Sequence, residues 1–348
     1  MNESVIKSIT PLGSPWATSD PFLFCMYHHD FYPAGNEEMG PQSSLAGRNI
    51  GMDFTVKDGW RMYHGDRVPG FPAHPHRGFE TVTVVQKGLV DHADSLGAAG
   101  RYGYGDTQWL TTGKGVQHSE MFPLLHTDRD NPLELFQIWL NLPRSGKMVA
   151  PYFTMLWQEA IPKRIFTDRD GSRVEVNIVA GRLGDARPLP PPPHSWAADP
   201  DNHVAIWTLC MEPDSTWLLP AAVTGIHRTL YFYQGKSIRI AGEEVGPMHS
   251  VALDAGREVL LENGAGEGLL LLLQGRPINE PVAHYGPFVM NTREELQQAF
   301  TDYHQTRFGG WPWPAQDQVH PREQGRFARH ADGRLEELGS GLGMSLNL

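Results

Sequence analysis

Two short runs carry the residues best suited to chemistry. His74-Pro75-His76 and, about forty residues later, His118-Ser119-Glu120 each place two metal-competent side chains at positions i and i+2. In an extended strand those positions project from one face. Two such strands lying side by side can therefore aim three imidazoles and one carboxylate at a single point. Neutral imidazole and ionised carboxylate suit a borderline divalent transition metal. Four protein ligands leave one or two coordination positions free, as in non-haem Fe(II) chemistry and unlike a closed structural zinc site. A single histidine among the 16 of this chain would ordinarily be a surface or hydrogen-bonded residue; two spaced pairs together read as a reactive metal site.

For the pairs to meet, the chain between them must turn back. Residues 81–90 form a hairpin-like run rich in Thr and Val around Gly88, and turn-rich stretches follow at 95–100 and 103–106. Glycines at intervals between β-branched runs predict short strands joined by tight turns, a meander inside a small barrel. Residues 230–240 echo this strand, Gly turn, strand pattern and suggest a second barrel. Aligned on Gly88 and Gly235, that copy places Ala221 and Val223 opposite His74 and His76; aligning residues 253–262 on 111–120 places Leu260 opposite His118 and leaves only Glu262 in a matching position. His227 falls opposite Glu80 and reads as a turn or surface residue. The second barrel is thus expected to hold no metal and to be filled by apolar side chains.

The apolar run 135–140 gives way to turn-formers at 141–147, which predicts domains at 1–145 and 146–308, followed by an extension at 309–348. Within the second, residues 292–303 have a Thr cap, early acids and apolar residues at helical spacing, and predict a helix. Consecutive prolines at 188–196 predict a rigid extended loop. Trp311 and Trp313 are expected to pack on the body of the protein or on a neighbouring subunit.

The motifs resemble those of the pirins, a branch of the two-domain cupins. The resemblance rests on residues 74–81 (HPHRGFET), on Gly105-Asp106 with Gln108-Trp109, Thr111, Gly113 and Gly115 leading to His118-Ser119-Glu120-Met121, and on the C-terminal block 280–292. Asp20-Pro21-Phe22-Leu23 and Lys147-Met148-Val149 extend it over about residues 20–308. It implies a mainly all-β fold of two tandem jelly-roll cupin barrels with a short C-terminal helix. It also implies that His74, His76, His118 and Glu120 ligate one mononuclear Fe(II) in the N-terminal barrel. The activity implied is that of a quercetin (flavonol) 2,3-dioxygenase, which opens the heterocycle and releases carbon monoxide, with Glu120 as the base for the substrate's 3-hydroxyl. Arg77, Phe79, Glu80, Gln108, Trp109 and Met121 flank the ligands. The alternative is a non-enzymatic, iron-dependent regulatory protein, a transcription co-regulator or modulator of a metabolic enzyme, whose partner is another protein.

Composition narrows the remaining classes. With 29 basic and 40 acidic residues the formal charge is −11, and there is no dense Lys/Arg stripe, so direct nucleic-acid binding is not expected. No apolar run is long enough to span a bilayer, and the first residues lack a secretory signal, so a cytoplasmic protein is expected. Cys25 and Cys210, assigned to different domains, are expected to be free thiols.

Overall fold

The computed structural model describes residues 4–338, which form β-strands, short 3-10 turns and, among the described residues, one α-helix. Two compact units make up the chain. One contains Tyr27–Ile138, Arg144–Gln158 and the chain from Glu280 onward; the other contains the chain up to Met26, Trp139–Pro143 and Glu159–Asn279. The expected boundaries at 145 and 308 differ from these: the chain up to Met26, expected with the first barrel, groups with Glu159–Asn279, and the chain from Glu280 to 308, expected in the second barrel, groups with Tyr27–Ile138. Strand Ile6–Pro11 pairs antiparallel with His249–Asp254, and the tail strand Arg326–Arg329 pairs with Ala99–Gly103. Cys25 and Cys210 therefore share one unit; both are free thiols.

The first unit has two sheets. Six strands run in the order Leu335–Leu338, Arg326–Arg329, Ala99–Gly103, Leu89–Asp94, Val116–Met121 and Gly70–His76. Five run in the order Tyr152–Leu156, Thr107–Thr111, Phe79–Lys87, Asn131–Asn141 and Phe22–Tyr32, the last two reaching into the other unit's range. Their inner faces bury Tyr32, Trp60, Met62, Val85, Val90, Leu110, Phe122, Leu133 and Phe153. The run at 81–90 is not a hairpin. Strand Phe79–Lys87 pairs with Thr107–Thr111 in one sheet, whereas Leu89–Asp94 pairs with Ala99–Gly103 and Val116–Met121 in the other. Gly88 makes the passage between sheets at φ +79°, and a Cβ there would lie 2.8 Å from the Pro132 carbonyl oxygen. Only glycine meets both conditions without strain.

In the second unit a seven-stranded sheet faces a four-stranded one. Its central strands Ala205–Met211 and Gly268–Gly275 are buried almost throughout, which explains their near-continuous apolar sequence. Trp207, Leu230, Phe232, Val251, Leu261, Leu270 and Leu272 fill its core. Neither alignment finds the interior positions: Ala221, Val223 and Leu260 lie on the surface, the first two in a loop outside the strands. The apolar filling comes from other positions. His227 is exposed and its Nδ1 lies 2.6 Å from the Asp20 carbonyl oxygen.

The helix runs Arg293–Thr306, with Thr292 and Glu295 forming a reciprocal capping box. The segment that follows is laced onto the first unit. Trp313 Nε1 donates to the Asp94 carbonyl at 2.7 Å, whereas Trp311 Nε1 donates within the tail to Ala315. Arg101, 1 % exposed, makes a two-pronged ion pair with Asp91 at 2.6 and 2.7 Å. Its remaining protons go to the carbonyls of His320, Pro321 and Gln324 at 2.8–2.9 Å. One buried guanidinium thus joins two barrel strands to the tail. Arg101→Met should leave Asp91 buried without its cation and cost about 3–5 kcal/mol in urea unfolding. It should also open 310–338 to limited proteolysis; an unchanged cleavage pattern would argue against the clasp.

Candidate metal centre

Strands Gly70–His76 and Val116–Met121 pair antiparallel with His74 directly opposite His118. Toward Gly70 the register shifts by one, so that Phe71 faces Glu120: three steps along one strand match two along the other. This bulge lets Phe71 and His74, which an unbroken pleat would turn to opposite faces, share the face of His118 and Glu120.

The imidazoles of His74, His76 and His118 converge. Their ring centroids are 4.5 Å (74 to 118), 4.7 Å (74 to 76) and 5.0 Å (76 to 118) apart, and one nitrogen from each lies within 4.8 Å of the others. Among the described residues no other cluster of three or more His, Cys, Asp or Glu meets this spacing. His74 Nδ1 lies 2.9 Å from the Pro72 carbonyl oxygen, and His76 Nδ1 3.4 Å from that of Pro287. A proton on each Nδ1 makes Nε2 the nitrogen that carries the lone pair, the tautomer that backbone carbonyls impose on metal-binding histidines. Both nitrogens of His118 are buried without a hydrogen-bond partner. A buried, unpartnered imidazole nitrogen aimed at two others is costly unless a cation sits there, so the donor set fits a metal.

Burial keeps these rings neutral, as metal ligation requires. It pushes His74 down to about 4, and His76 and His118 well below the usual range, with the neighbouring rings adding to the effect.

Glu120 stands beside this cluster, Oε2 lying 3.7 Å from His118 Nε2. Gln137 Nε2 donates to Oε2 at 2.7 Å, and the Thr83 and Tyr102 hydroxyls approach Oε1 at 3.0 and 3.5 Å. The Thr83 hydroxyl also meets the Gln137 side-chain oxygen. Burial raises the Glu120 pKa; His92 and these three hydrogen bonds oppose the rise.

The flanking residues divide by role. Phe79 packs its ring 5.1 Å from that of His76. Arg77 ties the barrel to the C-terminal helix, donating to Asp302 at 2.6 Å and to the Lys114 carbonyl at 2.7 Å. Glu80 accepts the Thr111 hydroxyl at 2.6 Å, and Gln108, Trp109 and Met121 are buried. Thr83, Gln137, Tyr102 and His92 escaped the sequence reading. His92 sits opposite Glu120 on the next strand, with Asp94 opposite His118. Its ring is 5.6 Å from that of His118, and its Nε2 is 3.3 Å from Asp94 Oδ2. His92 and Asp94 repeat the i, i+2 spacing of the ligand pairs, a signal that could have found them.

Two jelly-roll barrels, one with this cluster inside it, define a bicupin with a candidate metal centre. The chain belongs to the pirin family: residues 20–140 match the family model for Pirin and residues 206–309 that for the Pirin C-terminal cupin domain. It is 36 % identical over 248 residues to a Pseudomonas aeruginosa protein named putative quercetin 2,3-dioxygenase, covering 69 % of this chain and 79 % of that one. To human pirin it is 34 % identical over 254 residues, covering 71 % and 80 %. A crystal structure of quercetin 2,3-dioxygenase from Acinetobacter baumannii superposes with a TM-score of 0.66 at 25 % identity, covering 88 % of this chain and 98 % of that one.

The lowered histidine pKa values set a pH dependence for the metal-free protein. Between 6.5, the usual value, and about 4, His74 is protonated when unfolded but not when folded. Stability should therefore be full above pH 6.5 and fall as the pH drops toward 4, by about 1.4 kcal/mol per pH unit for each such histidine. Urea unfolding of metal-free protein at pH 7.5, 6 and 5 checks this, and His74→Gln should show a shallower slope.

Proposed function

We propose that this protein is an Fe(II)-dependent dioxygenase of the quercetin (flavonol) 2,3-dioxygenase type, with the metal held by His74, His76, His118 and Glu120. The observation that carries this reading is the buried convergence of three neutral imidazoles, one with both nitrogens unpartnered, beside a carboxylate that hydrogen bonds hold in place. The names of the Pseudomonas and Acinetobacter proteins supply the substrate class. Bound there, Fe(II) supplies a Lewis-acidic point for the substrate's oxygens and redox chemistry toward dioxygen.

The chain's own residues orient the reactants and move a proton. Glu120 accepts the proton of the flavonol 3-hydroxyl, which leaves the substrate as its enolate. In the metal-free protein, burial raises the pKa of this carboxylate. Gln137 and Thr83 fix its two oxygens, so the accepting lone pair has a set direction. His74 and His76, locked by the carbonyls of Pro72 and Pro287, keep their Nε2 atoms aimed inward.

Anaerobic metal analysis should give one divalent metal per chain, and iron-loaded protein should take up oxygen with a flavonol. Glu120→Gln keeps an oxygen donor but loses the base. It should lower the rate by about 10²–10⁴-fold while metal content falls far less. His118→Ala should lose metal and activity together. Wild-type turnover by iron-loaded Glu120→Gln would remove Glu120 as the base, and no uptake with any flavonol by fully loaded protein would remove the enzymatic reading.

A further inference from the structure

Residues 33–69 connect strand Phe22–Tyr32 to strand Gly70–His76 with no strand of their own, yet the segment is tightly clasped. Arg48 donates to Asp53 at 3.1 Å, to the Trp60 carbonyl at 2.9 Å and to the Lys57 carbonyl at 2.7 Å, and lies 3.3 Å over the Trp60 ring. Asp53 and Tyr63 exchange backbone hydrogen bonds at 2.8 and 3.0 Å. Below the segment a buried network backs it: Arg61 pairs with Asp30 at 2.9 Å, Tyr63 donates to Asp30 at 2.6 Å, and His28 Nδ1 lies 2.8 Å from the Tyr63 hydroxyl.

Such a support holds exposed apolar side chains in fixed positions. Ile50, Met52, Phe54 and Val56 are 37, 58, 46 and 55 % exposed, an apolar run that a loop with no binding role does not need. Phe54 is the member that connects to the metal centre. Its ring meets that of His64 edge-on at 4.9 Å and that of Phe71 at 6.4 Å. Phe71 in turn lies 5.8 Å from His64 and 6.3 Å from His74, the least buried of the three clustered histidines. The strand bulge puts Phe71 on the ligand face. His64 Nδ1 lies 2.7 Å from the Gly51 carbonyl oxygen, which holds the proton there and leaves the exposed Nε2 as an acceptor.

We propose that Phe54, His64 and Phe71 form the substrate-recognition wall of the metal centre, taking an aromatic ring that bears a hydroxyl group. The ring packs on Phe54 and Phe71 while its hydroxyl donates to His64 Nε2. A substrate whose enolate oxygens lie at the cluster can extend a second ring over His74 onto this wall. The segment 33–69 thereby selects for a polyphenol over a small chelator. This assignment rests on the flavonol reading above, and goes beyond it in naming residues outside the ligand set that choose the substrate.

The test is equilibrium binding of quercetin to anaerobic, metal-loaded protein, followed by fluorescence, with metal content measured on each variant. Acetohydroxamate, a chelator without a ring, is the control. Phe54→Ala and His64→Ala should each weaken quercetin binding about 3- to 10-fold, the size of one aromatic contact or one hydrogen bond. Metal content and acetohydroxamate binding should not change, and Phe54→Tyr should restore quercetin affinity. Because Phe54 and His64 are exposed, neither truncation removes core packing. Unchanged quercetin affinity in both alanine variants overturns the wall while leaving the flavonol reading intact. Wild-type protein that binds acetohydroxamate but not quercetin overturns both. Phe54→Ala that leaves quercetin affinity unchanged but moves the protein to a smaller species in solution gives the patch to a second copy of the chain, and overturns the proposal.

Discussion

The antiparallel pairing of strands Gly70–His76 and Val116–Met121 is the constraint on which the metal centre depends. A slip of one residue in either strand would send that strand's pair of candidate ligand side chains to the opposite face, so the register is part of the site itself. It is pinned from several sides. The bulge beyond His74 absorbs one residue, and Gly70 lies so close to the partner strand that a Cβ would sit 2.5 Å from the Glu120 carbonyl oxygen. At the other end Gly78, at φ +88°, would place a Cβ 2.0 Å from the Val289 carbonyl oxygen. Neither end of the first strand can shift without a backbone collision.

Around that register the polar groups of the barrel interior serve orientation more than stability. Pro72 and Pro287 contribute carbonyl oxygens and no backbone N–H, so each can only accept at the ring nitrogen it faces. Gln137 and Thr83 come from the opposing sheet and reach Glu120 across the interior. The two sheets therefore meet through polar contacts at the site, while Val85, Val90, Leu110 and Phe153 join them by apolar packing elsewhere. A ligand cluster supported from both layers resists the relaxation that would let each side chain find its own partner.

The candidate site was legible in the sequence because its residues obey the period of two that any strand imposes. His74, His76 and His118 needed only two adjacent strands to converge with Glu120 beside them, and those strands do pair. The capping box at Thr292 and Glu295 was legible for a similar reason, since both partners lie within one turn. The features that were misread depend on distant pairing. Residues 81–90 carry a good hairpin pattern, yet each half finds its partners in a different sheet. Ala221 and Val223 follow from counting back from a glycine and Leu260 from aligning a later segment on 111–120, and both kinds of counting fail wherever the loop between two strands changes length. Gln137 and Thr83 carried no local signal, because their function is defined by a carboxylate on a facing sheet.

The chain ends of the unit that holds the histidine cluster bear on how the protein is made. Its candidate ligands lie between His74 and Glu120, but its outer strands Arg326–Arg329 and Leu335–Leu338 and the carbonyls that Arg101 binds come some two hundred residues later. The last strand of the other unit ends at Gly275, so that unit's sheets have all their strands earlier in synthesis. During translation the strand Ala99–Gly103 waits with an unpaired edge, and Arg101 with no carbonyls to cap its guanidinium. The barrel whose histidines leave the ribosome first is thus the last to close, and for most of the protein's synthesis it presents the open strand edge that invites pairing with other chains.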